Sequence, residues 1–329
     1  MAAGVSGTLR AAGAALYGAA WEARRRSYAA GWLAPRRIAA RVVSVGNLTV
    51  GGTGKTTLTL HLAERARALG LATAVVCRNY RPGPGGVGDE ALLYRRRLGA
   101  ERVFTGRDKR RLAGQAAAAG FAHVLVDDGF SHWGLERDLD LVLLDASDLR
   151  GGGALLPLGR LREPLRALQR AQVVVVTRVP AGDAPERWLE PVRRLAPAAR
   201  FAAGRHQVRG MVRLTGEPLG GSAPRRVRVV TATGNPEAVA ASARESGAEV
   251  VAVSAYRDHH WFTAAEAARE RAQADAEGAA LLVTAKDAVR WPTPGTSEGP
   301  FVLEVGWRWL AGGEEVEAMA LAATSEASA

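Results

Sequence analysis

A glycine-rich hexapeptide, Gly51-Gly52-Thr53-Gly54-Lys55-Thr56, stands between the apolar run 41–46 and a helix-like stretch at 55–69. The backbone N–H groups of such a turn can point at one anion, and the following helix adds the positive end of its dipole. A lysine at its end reaches the β and γ phosphates of a nucleotide, and the next hydroxyl is a ligand of Mg²⁺. The sequence therefore predicts a nucleotide phosphate loop that begins at Thr49 and Val50.

The strict form of this pattern opens with a glycine at the position that Thr49 occupies here. We expect Gly46 to supply the upstream glycine instead. The alternative is a helix N-terminus that is rich in glycine and binds nothing. A second glycine pattern, at 83–88, matches the dinucleotide fingerprint, but it lies in a Gly- and Pro-rich stretch without a tight strand-to-helix turn. It predicts a mobile loop over an active site.

Strand-like and helix-like runs alternate along most of the chain, which predicts an α/β fold with a mostly parallel, P-loop NTPase-like sheet flanked by helices. A proline-punctuated, charged stretch at 179–200 predicts a linker or connecting helix. We therefore expect an N-terminal helical region at 1–40, a nucleotide-binding domain at 41–178, a second, smaller α/β domain at 201–324 and a disordered polar tail at 325–329.

The chain has one cysteine, Cys77, which excludes an intrachain disulfide and a thiolate zinc site. Its formal net charge of +11 suits nucleic acid, an acidic membrane surface or a phosphorylated substrate, although an arginine-rich coding bias would give the same charge. No zinc-finger or RNP aromatic motif accompanies the charge, so we expect no nucleic-acid partner.

The N-terminal segment has an apolar and aromatic stripe beside a cluster of arginines. This pattern predicts an amphipathic helix, which either lies in a membrane interface or packs on its own domain. Charged residues interrupt the segment too often for a membrane span. The stripe consists of Leu9, Leu16, Tyr17, Trp21, Tyr28 and Trp32.

Phosphoryl transfer to a hydroxyl needs a metal near the phosphates and a group that accepts the hydroxyl proton. Asp127 and Asp128 end an apolar strand and predict a metal or water site, although Asp before Gly is also common in turns. Asp89 stands where the second glycine loop becomes a helix, and it is an N-cap, a catalytic base or both. Further candidates, which lie near acids or at phosphate-binding spacing, are His132, Arg160, Arg162, Glu163, His259 and His260.

Together these motifs make the chain resemble the tetraacyldisaccharide 4'-kinase family, the lipid A 4'-kinases of Gram-negative bacteria. They occur in the family's order from about residue 10 to residue 310. The motifs are Val45-Gly46-Asn47-Leu48-Thr49-Val50-Gly51-Gly52-Thr53-Gly54-Lys55-Thr56, Val87-Gly88-Asp89-Glu90, Asp127-Asp128-Gly129-Phe130-Ser131-His132, Leu155-Leu156-Pro157, Arg162-Glu163-Pro164-Leu165, Gly234-Asn235-Pro236, Asp258-His259-His260 and Thr284-Ala285-Lys286-Asp287-Ala288-Val289.

The resemblance implies an enzyme that uses MgATP to phosphorylate the 4' hydroxyl of an acylated glucosamine disaccharide 1-phosphate, giving lipid IVA. We expect a monomer that binds the cytoplasmic face of the bacterial inner membrane through its N-terminal helix. By resemblance Asp89 is the catalytic base, assisted by His259 or His260, and Lys55 acts on the phosphates. The expected metal-holding residues are Thr56, Asp127, Asp128 and Glu163, with His132 and Arg162 elsewhere in the active site.

Three positions, Asn79, Ser131 and Ala285, depart from the residues that are usual in the family. They affect the expected contacts to nucleotide or sugar rather than the expected reaction. The competing hypothesis is a regulatory P-loop ATPase switch, which would hydrolyse nucleotide without a lipid acceptor. The chain has no clear Asn-Lys-x-Asp motif, which argues against a GTPase.

Overall fold

The computed structural model of the chain describes residues 2–219, 223–292 and 299–322, so the predicted tail at 325–329 lies outside the described residues. The helices are α1 (Ala2–Ala29), α2 (Lys55–Ala68), α3 (Asp89–Leu98), α4 (Lys109–Ala118), α5 (Glu186–Arg193), α6 (Pro236–Glu245), α7 (Ala264–Ala276), α8 (Ala285–Ala288) and α9 (Gly313–Ala320). The strands are β1 (Arg41–Asn47), β2 (Thr73–Arg78), β3 (Val103–Gly106), β4 (His123–Asp127), β5 (Leu139–Asp145), β6 (Val173–Thr177), β7 (Arg200–Val212), β8 (Arg226–Thr231), β9 (Glu249–Ala255), β10 (Ala280–Thr284) and β11 (Phe301–Ala311).

The chain divides into two compact units, and neither unit is one contiguous stretch. The first comprises Met1–Arg78, Leu98–Arg205 and Trp307–Ala329, and the second comprises Asn79–Arg97 and His206–Gly306. The predicted domains are contiguous ranges and therefore differ from these compact units. The predicted domain boundaries stay a prediction.

In the first unit the strands follow the order β3-β2-β4-β1-β5-β6-β7, and the neighbouring strands run parallel. Strands such as β6, which reads Val-Val-Val-Val-Thr and is buried throughout, have the continuous apolar character of a parallel sheet with both faces covered. Val45 of β1 lies opposite Asp127 of β4. Because parallel strands end at the same edge of a sheet, the loops after β1 and β4 lie next to each other.

In the second unit β11, β10, β8 and β9 follow one another, again in parallel pairs. Helix α6 packs on β8 and β9, and α7 packs on β8 and β10. The predicted fold class is confirmed: a mostly parallel sheet flanked by helices, with a second, smaller α/β part.

Strands β3, β7 and β11 are not predicted from the sequence. Strand β7 has thirteen residues, three of which are arginines, and it lacks the apolar run that identifies the other strands. It pairs in parallel with β6, and Gly204 lets the ring of Trp307 approach its backbone, since a Cβ there would lie 2.3 Å from that ring. The predicted connecting stretch at 179–200 contains helix α5.

The expectation that Gly46 supplies the upstream glycine of the phosphate loop is wrong. Gly46 lies inside β1, and a Cβ added there would be 2.4 Å from Cβ of Phe130. The absence of a side chain at Gly46 therefore admits Phe130 against the strand, and Gly46 is not part of the loop.

Helix α1 packs on the first unit with only part of its predicted stripe. Trp21 is buried and meets Trp133 edge-on, with 5.9 Å between the ring centroids. Other members of the stripe are exposed. No helix among the described residues is long and apolar enough to cross a membrane. The exposed members are Leu9 (68%), Leu16 (74%), Tyr17 (39%) and Trp32 (81%).

Candidate functional site

The phosphate loop extends from the end of β1 at Asn47 to the first residue of α2, Lys55. Gly51 and Gly54 have φ values of 109° and 90°, a region that glycine adopts readily and other residues do not. Gly54 is the N-cap of α2, so no side chain caps the helix, and no acidic residue lies in the first turn. The N-terminus of α2 therefore has the properties of an anion site: outward N–H groups and the positive end of the helix dipole.

The start of the loop is anchored on the segment around residue 161. The N–H of Val50 donates to the carbonyl of Arg160 at 2.9 Å, and Thr49 is buried and bridges Leu161. Thr49 is thus buried and forms a β-bridge with Leu161. This role accounts for a threonine at the position where the strict pattern has glycine.

Two arginines flank the loop glycines. A Cβ added to Gly51 would lie 2.9 Å from Nη2 of Arg160, and one added to Gly52 would lie 3.8 Å from Nη2 of Arg178. Arg178 is held by Asp145, with 2.7 Å between its Nη1 and a carboxylate oxygen. These guanidinium groups bring positive charge to the glycine backbone, which suits a phosphate ligand.

Lys55, Asn47, Asp128 and Arg162 form a charged cluster at the carboxyl ends of β1 and β4. Lys55 Nζ donates to Asn47 Oδ1 at 2.9 Å and lies 3.8 Å from Asp128 Oδ1. Arg162 donates to both oxygens of Asp128, at 2.8 and 2.6 Å. Burial acts to raise the pKa of Asp128, but the Arg162 hydrogen bonds and the Lys55 charge hold that pKa well below its usual value. The Asp128 carboxylate is therefore ionised at neutral pH.

Lys109, which the sequence does not single out, lies beneath the two acids. Its Nζ is buried and donates to the main-chain carbonyls of Asp127 and Asp128 at 2.7 and 2.5 Å. Asp128 has a φ of 53°, a conformation that is uncommon outside glycine. The lysine holds the strained backbone that orients the Asp128 carboxylate.

Glu163 lies next to helix α1. Its side chain is 2% exposed, and Oε2 accepts hydrogen bonds from Trp21 Nε1 at 3.0 Å and from Arg170. Glu163 thus joins α1 to the segment that carries Arg162. Its other oxygen, Oε1, is buried and makes no hydrogen bond within the described part of the chain, so it could still accept one from a ligand.

His132 lies in the turn that follows Asp128 and is partly buried. Burial and the nearby Lys109 charge lower the pKa of its imidazole, so the neutral form predominates at pH 7.

The oxygen groups at this edge of the sheet fit Mg²⁺. Thr56 provides a hydroxyl in the first turn of α2, and Asp127 a buried carboxylate at the end of β4. Mg²⁺ is usually bound by one or two carboxylates together with phosphates and water. Among residues 2–219, 223–292 and 299–322 no group of three or more His, Cys, Asp or Glu side chains could hold a metal by itself. The arrangement suits a metal held jointly with a phosphate.

In the second unit, Asp89 is the first residue of α3 and is 1% exposed. Oδ1 accepts the N–H of Glu90 at 2.9 Å, and Oδ2 lies 2.8 Å from Nδ1 of His259. Lys286 Nζ and Arg290 Nη1 lie 3.8 and 3.5 Å from the same Oδ2. Burial acts to raise the pKa of Asp89, but the His259 hydrogen bond and the charges of Lys286, His259 and Arg290 outweigh it and lower the pKa.

The structure brings one of the two predicted histidines to Asp89. That residue is His259; His260 Nε2 instead lies 3.0 Å from Glu266 Oε2, and its ring stacks on Tyr256 with 5.0 Å between centroids. His259 is therefore the partner of the candidate base, and His260 supports the loop that carries it.

The glycine loop before Asp89 is closed by its first residue. Asn79 Nδ2 donates to the carbonyl of Gly86 at 3.0 Å, and Asn79 Oδ1 accepts the N–H of Gly88 at 2.7 Å. Arg81 also donates to the carbonyl of Asp258 at 3.1 Å. Asn79, one of the departures from the family pattern, thus has a definite structural role.

Sequence reasoning missed Lys109 and Arg290. Arg290 approaches Asp89 from 201 positions further along the chain, and no local pattern reports such a contact. The one available signal is its spacing of three residues from Asp287, with which it forms an ion pair just beyond the end of α8. The Lys55 cluster belongs to the first compact unit, and the Asp89 cluster belongs to the second.

Comparison with known proteins gives a consistent result. A profile of the family described as tetraacyldisaccharide-1-P 4'-kinase matches residues 8–311. The tetraacyldisaccharide 4'-kinase of Anaeromyxobacter sp. (strain Fw109-5) is 40% identical over 298 residues, which cover 84% of this chain and 80% of the relative. The enzyme of the same name from Geobacter sulfurreducens is 35% identical over 311 residues, which cover 88% of this chain and 85% of the relative.

A solved structure shares the fold. It is described as the apo form of LpxK from Aquifex aeolicus in complex with ATP, and it matches with a TM-score of 0.71 and 22% sequence identity. The match covers 93% of this chain and 95% of that chain.

Proposed function

This chain belongs to the tetraacyldisaccharide-1-P 4'-kinase family. On that premise we propose that it transfers the γ-phosphate of ATP to the 4' hydroxyl of a tetraacyl glucosamine disaccharide 1-phosphate, and we propose which of its residues bind the phosphates and which accepts the hydroxyl proton. It is a kinase of lipid A biosynthesis, and the expected product is lipid IVA. The regulatory ATPase switch is not favoured, because the family match extends far beyond the phosphate loop.

The phosphates are bound by the loop amides, the N-terminus of α2 and Lys55, which stabilise the charge on the transferring group. Asn47 and Asp128 hold the Lys55 ammonium at the loop, so little reorganisation is needed when nucleotide binds. Thr56 and Asp127 are the residues that would hold Mg²⁺ together with ATP, and the ion would then neutralise negative charge on the phosphates.

Asp89 accepts the proton of the 4' hydroxyl while that oxygen attacks the γ-phosphorus; the bond to the β–γ bridging oxygen breaks, and ADP leaves. A carboxylate with a lowered pKa is a weak base, which is sufficient because the transition state of phosphoryl transfer is loose. The observation that carries the assignment is the buried Asp89 carboxylate, held ionised and hydrogen-bonded to His259 at 2.8 Å.

Transfer of labelled γ-phosphate, with and without the tetraacyl disaccharide 1-phosphate in detergent micelles, tests this proposal. We expect label transfer to require the acceptor, and Asp89→Asn to lower kcat by about 10²–10⁴-fold without changing ATP affinity. Glu270→Gln removes another buried carboxylate of the second unit and should keep kcat near the wild-type value. Nucleotide hydrolysis that does not depend on the acceptor, or full turnover of Asp89→Asn, would contradict the proposal.

We also propose that the enzyme binds the cytoplasmic face of the inner membrane peripherally, through α1. The support is the exposed Leu9, Leu16 and Trp32 on and just after a helix rich in arginine, together with an acylated substrate. Replacing Leu16 and Trp32 by serine should reduce co-sedimentation with vesicles that contain anionic phospholipid. Leu69→Ser, which alters a 59% exposed leucine at the end of α2, is the matched control. Equal vesicle binding by all three proteins would refute the role of α1.

A further inference from the structure

Arg290, two residues after α8, is a fully buried arginine of the second unit. Its Nε donates to the carbonyl of Lys286 at 3.2 Å, and its Nη2 donates to Asp287 Oδ1 at 2.6 Å and to the carbonyl of Ala232 at 3.1 Å. The remaining nitrogen, Nη1, makes no hydrogen bond among the described residues and lies 3.5 Å from Oδ2 of Asp89. Because a guanidinium stays protonated in proteins, this nitrogen presents a permanent charge to the carboxylate.

Asp287 fixes the guanidinium from the other side. Its Oδ1 also accepts the N–H of Ala232 at 2.9 Å, and its Oδ2 accepts the hydroxyl of Thr284 at 2.6 Å. Both oxygens of this buried acid are therefore occupied by donors. A buried ion pair with satisfied hydrogen bonds has one preferred arrangement, so the position of Nη1 is set by the fold rather than by side-chain freedom.

The same network reaches His259. The carbonyl of Ala232 accepts both Arg290 Nη2 and the backbone N–H of His259, each at 3.1 Å. His259 has a φ of 65°, a conformation that persists in a non-glycine residue only where its surroundings impose it. Arg290 thus contacts Asp89 directly and is linked through one carbonyl to the histidine that hydrogen-bonds Asp89.

We propose that Arg290 is a positioning residue of the kinase reaction, whose guanidinium sets the orientation of the Asp89 carboxylate and of His259 together. The inference rests on the proposed role of Asp89 as the base. The side chain of Arg290 is fully buried, so Arg290 acts through these two residues.

The sign of the pH effect follows from the charges around Asp89. The loss of Arg290 removes a cation beside Oδ2 and therefore raises the pKa of Asp89. The base must be ionised to act, so the acidic limb of the kcat profile moves to higher pH. The other charged and titratable groups at this cluster are His259, Lys286, Glu90, Asp258, Asp287, Tyr80 and Arg81.

The experiment is the pH dependence of kcat for Arg290→Gln, measured at saturating ATP and acceptor. We expect a lower maximum kcat, an acidic limb shifted upward by about one pH unit, and an unchanged KM for ATP. Arg290→Lys, which keeps the charge, should bring the limb back towards the wild-type position. Arg228→Gln is the matched control, because Arg228 is also largely buried in ion pairs of this unit and lies in a different cluster. It should lose stability without a shift of the limb.

Arg290→Gln leaves Asp287 as an unpaired buried charge, which could prevent folding. In that case Asp287→Asn is compared with the double variant Asp287→Asn/Arg290→Gln, in which neither charge remains. The limb of the double variant should lie at higher pH than that of Asp287→Asn, and coincident limbs would overturn the proposal. If Asp89→Asn keeps full turnover, the assignment of Asp89 as the base is wrong. If Asp89→Asn is inactive but the acidic limbs of Asp287→Asn and the double variant coincide, only the proposed role of Arg290 is wrong.

Discussion

Two ionised carboxylates, Asp89 and Asp128, differ at the residue scale in the kind of group that hydrogen-bonds to them. Asp128 receives two hydrogen bonds from one guanidinium, that of Arg162, and faces Lys55, so it serves to hold cations. Asp89 also receives one hydrogen bond on each oxygen, but these come from the backbone N–H of Glu90 and from the imidazole of His259, a side chain that can itself gain or lose a proton. This difference is the physical reason for assigning the base to Asp89.

The two histidines provide a residue-scale prediction. His259→Gln should lower kcat by about tenfold or more, because it removes the hydrogen bond at 2.8 Å that orients the base. His260→Gln should leave kcat near wild type, since His260 contacts Glu266 and Tyr256 instead. The measurement is kcat of both variants under the same saturating conditions. Equal losses in the two variants would show that the histidines act only through loop structure.

At the scale of single elements, the loop at 79–88 is held by contacts within itself and by contacts to the segment that carries His259, His260 and Trp261. Asn79 closes it through Gly86 and Gly88. A Cβ on Gly83 would lie 2.3 Å from the ring of Trp261, so the glycine permits the indole to pack on the backbone. The sequence predicts that this loop is mobile. Any such motion would have to break the Asn79 hydrogen bonds or separate Gly83 from the Trp261 ring.

Asn79→Gly, which removes the side chain that closes the loop, tests the role of this element. The variant loses two side-chain hydrogen bonds, each contributing about 0.5–1.5 kcal/mol, and gains backbone freedom. We expect faster amide exchange at residues 80–88 and a lower kcat, with ATP affinity unchanged. Asn235→Gly, which removes the side-chain cap of α6, is a control elsewhere in the second unit. Unaltered exchange at 80–88 would mean that Asn79 does not restrain the loop.

At the scale of the whole molecule, the last described helix returns to the phosphate-loop helix. Glu317 of α9 lies 2.6 Å from His61 Nε2 and accepts hydrogen bonds from Arg65 at 3.0 Å and from Trp309 at 2.8 Å. His61 and Arg65 belong to α2. The end of the chain therefore contributes to the position of the element that begins the phosphate site.

Glu317→Gln should lower the free energy of unfolding at pH 7 by about 1.5–3 kcal/mol, because the hydrogen bonds lose their charge. Burial acts to raise the pKa of Glu317, but its hydrogen bonds from His61, Trp309 and Arg65 lower it. The stabilisation that the ionised Glu317 carboxylate gives to the folded state is thus complete above its ordinary pKa of 4.5. It is lost as the pH falls through the lower pKa that Glu317 has in the folded state.

Urea unfolding at a series of pH values checks this prediction. The difference in the free energy of unfolding between wild type and Glu317→Gln should narrow as the pH falls below about 4.5, which is the pKa of this glutamate in the unfolded chain. Glu314→Gln, at an exposed position of the same helix, should show little difference at any pH. A pH-independent difference would contradict the assigned charge effect.

Features that depend on neighbours in the chain could be predicted from the sequence. Strand β4 and the starts of β1 and α2 lie where the periodicity places them, and Asp127 ends its strand as predicted. The choice between His259 and His260 could not be made, because adjacent residues have the same local surroundings in sequence. The pairing of Glu163 with Trp21 likewise joins positions 142 residues apart.

The sequence by itself determined the phosphate loop, the α/β class and the family, because glycine spacing and apolar periodicity act over a few residues and are written in order along the chain. Only the tertiary structure decided that Gly46 accommodates Phe130, that Glu163 joins α1, and that Arg290 stands behind Asp89. The physical reason is that burial and charge pairing depend on which distant segments fold against one another. A buried guanidinium 3.5 Å from a carboxylate leaves no trace in the residues next to either group.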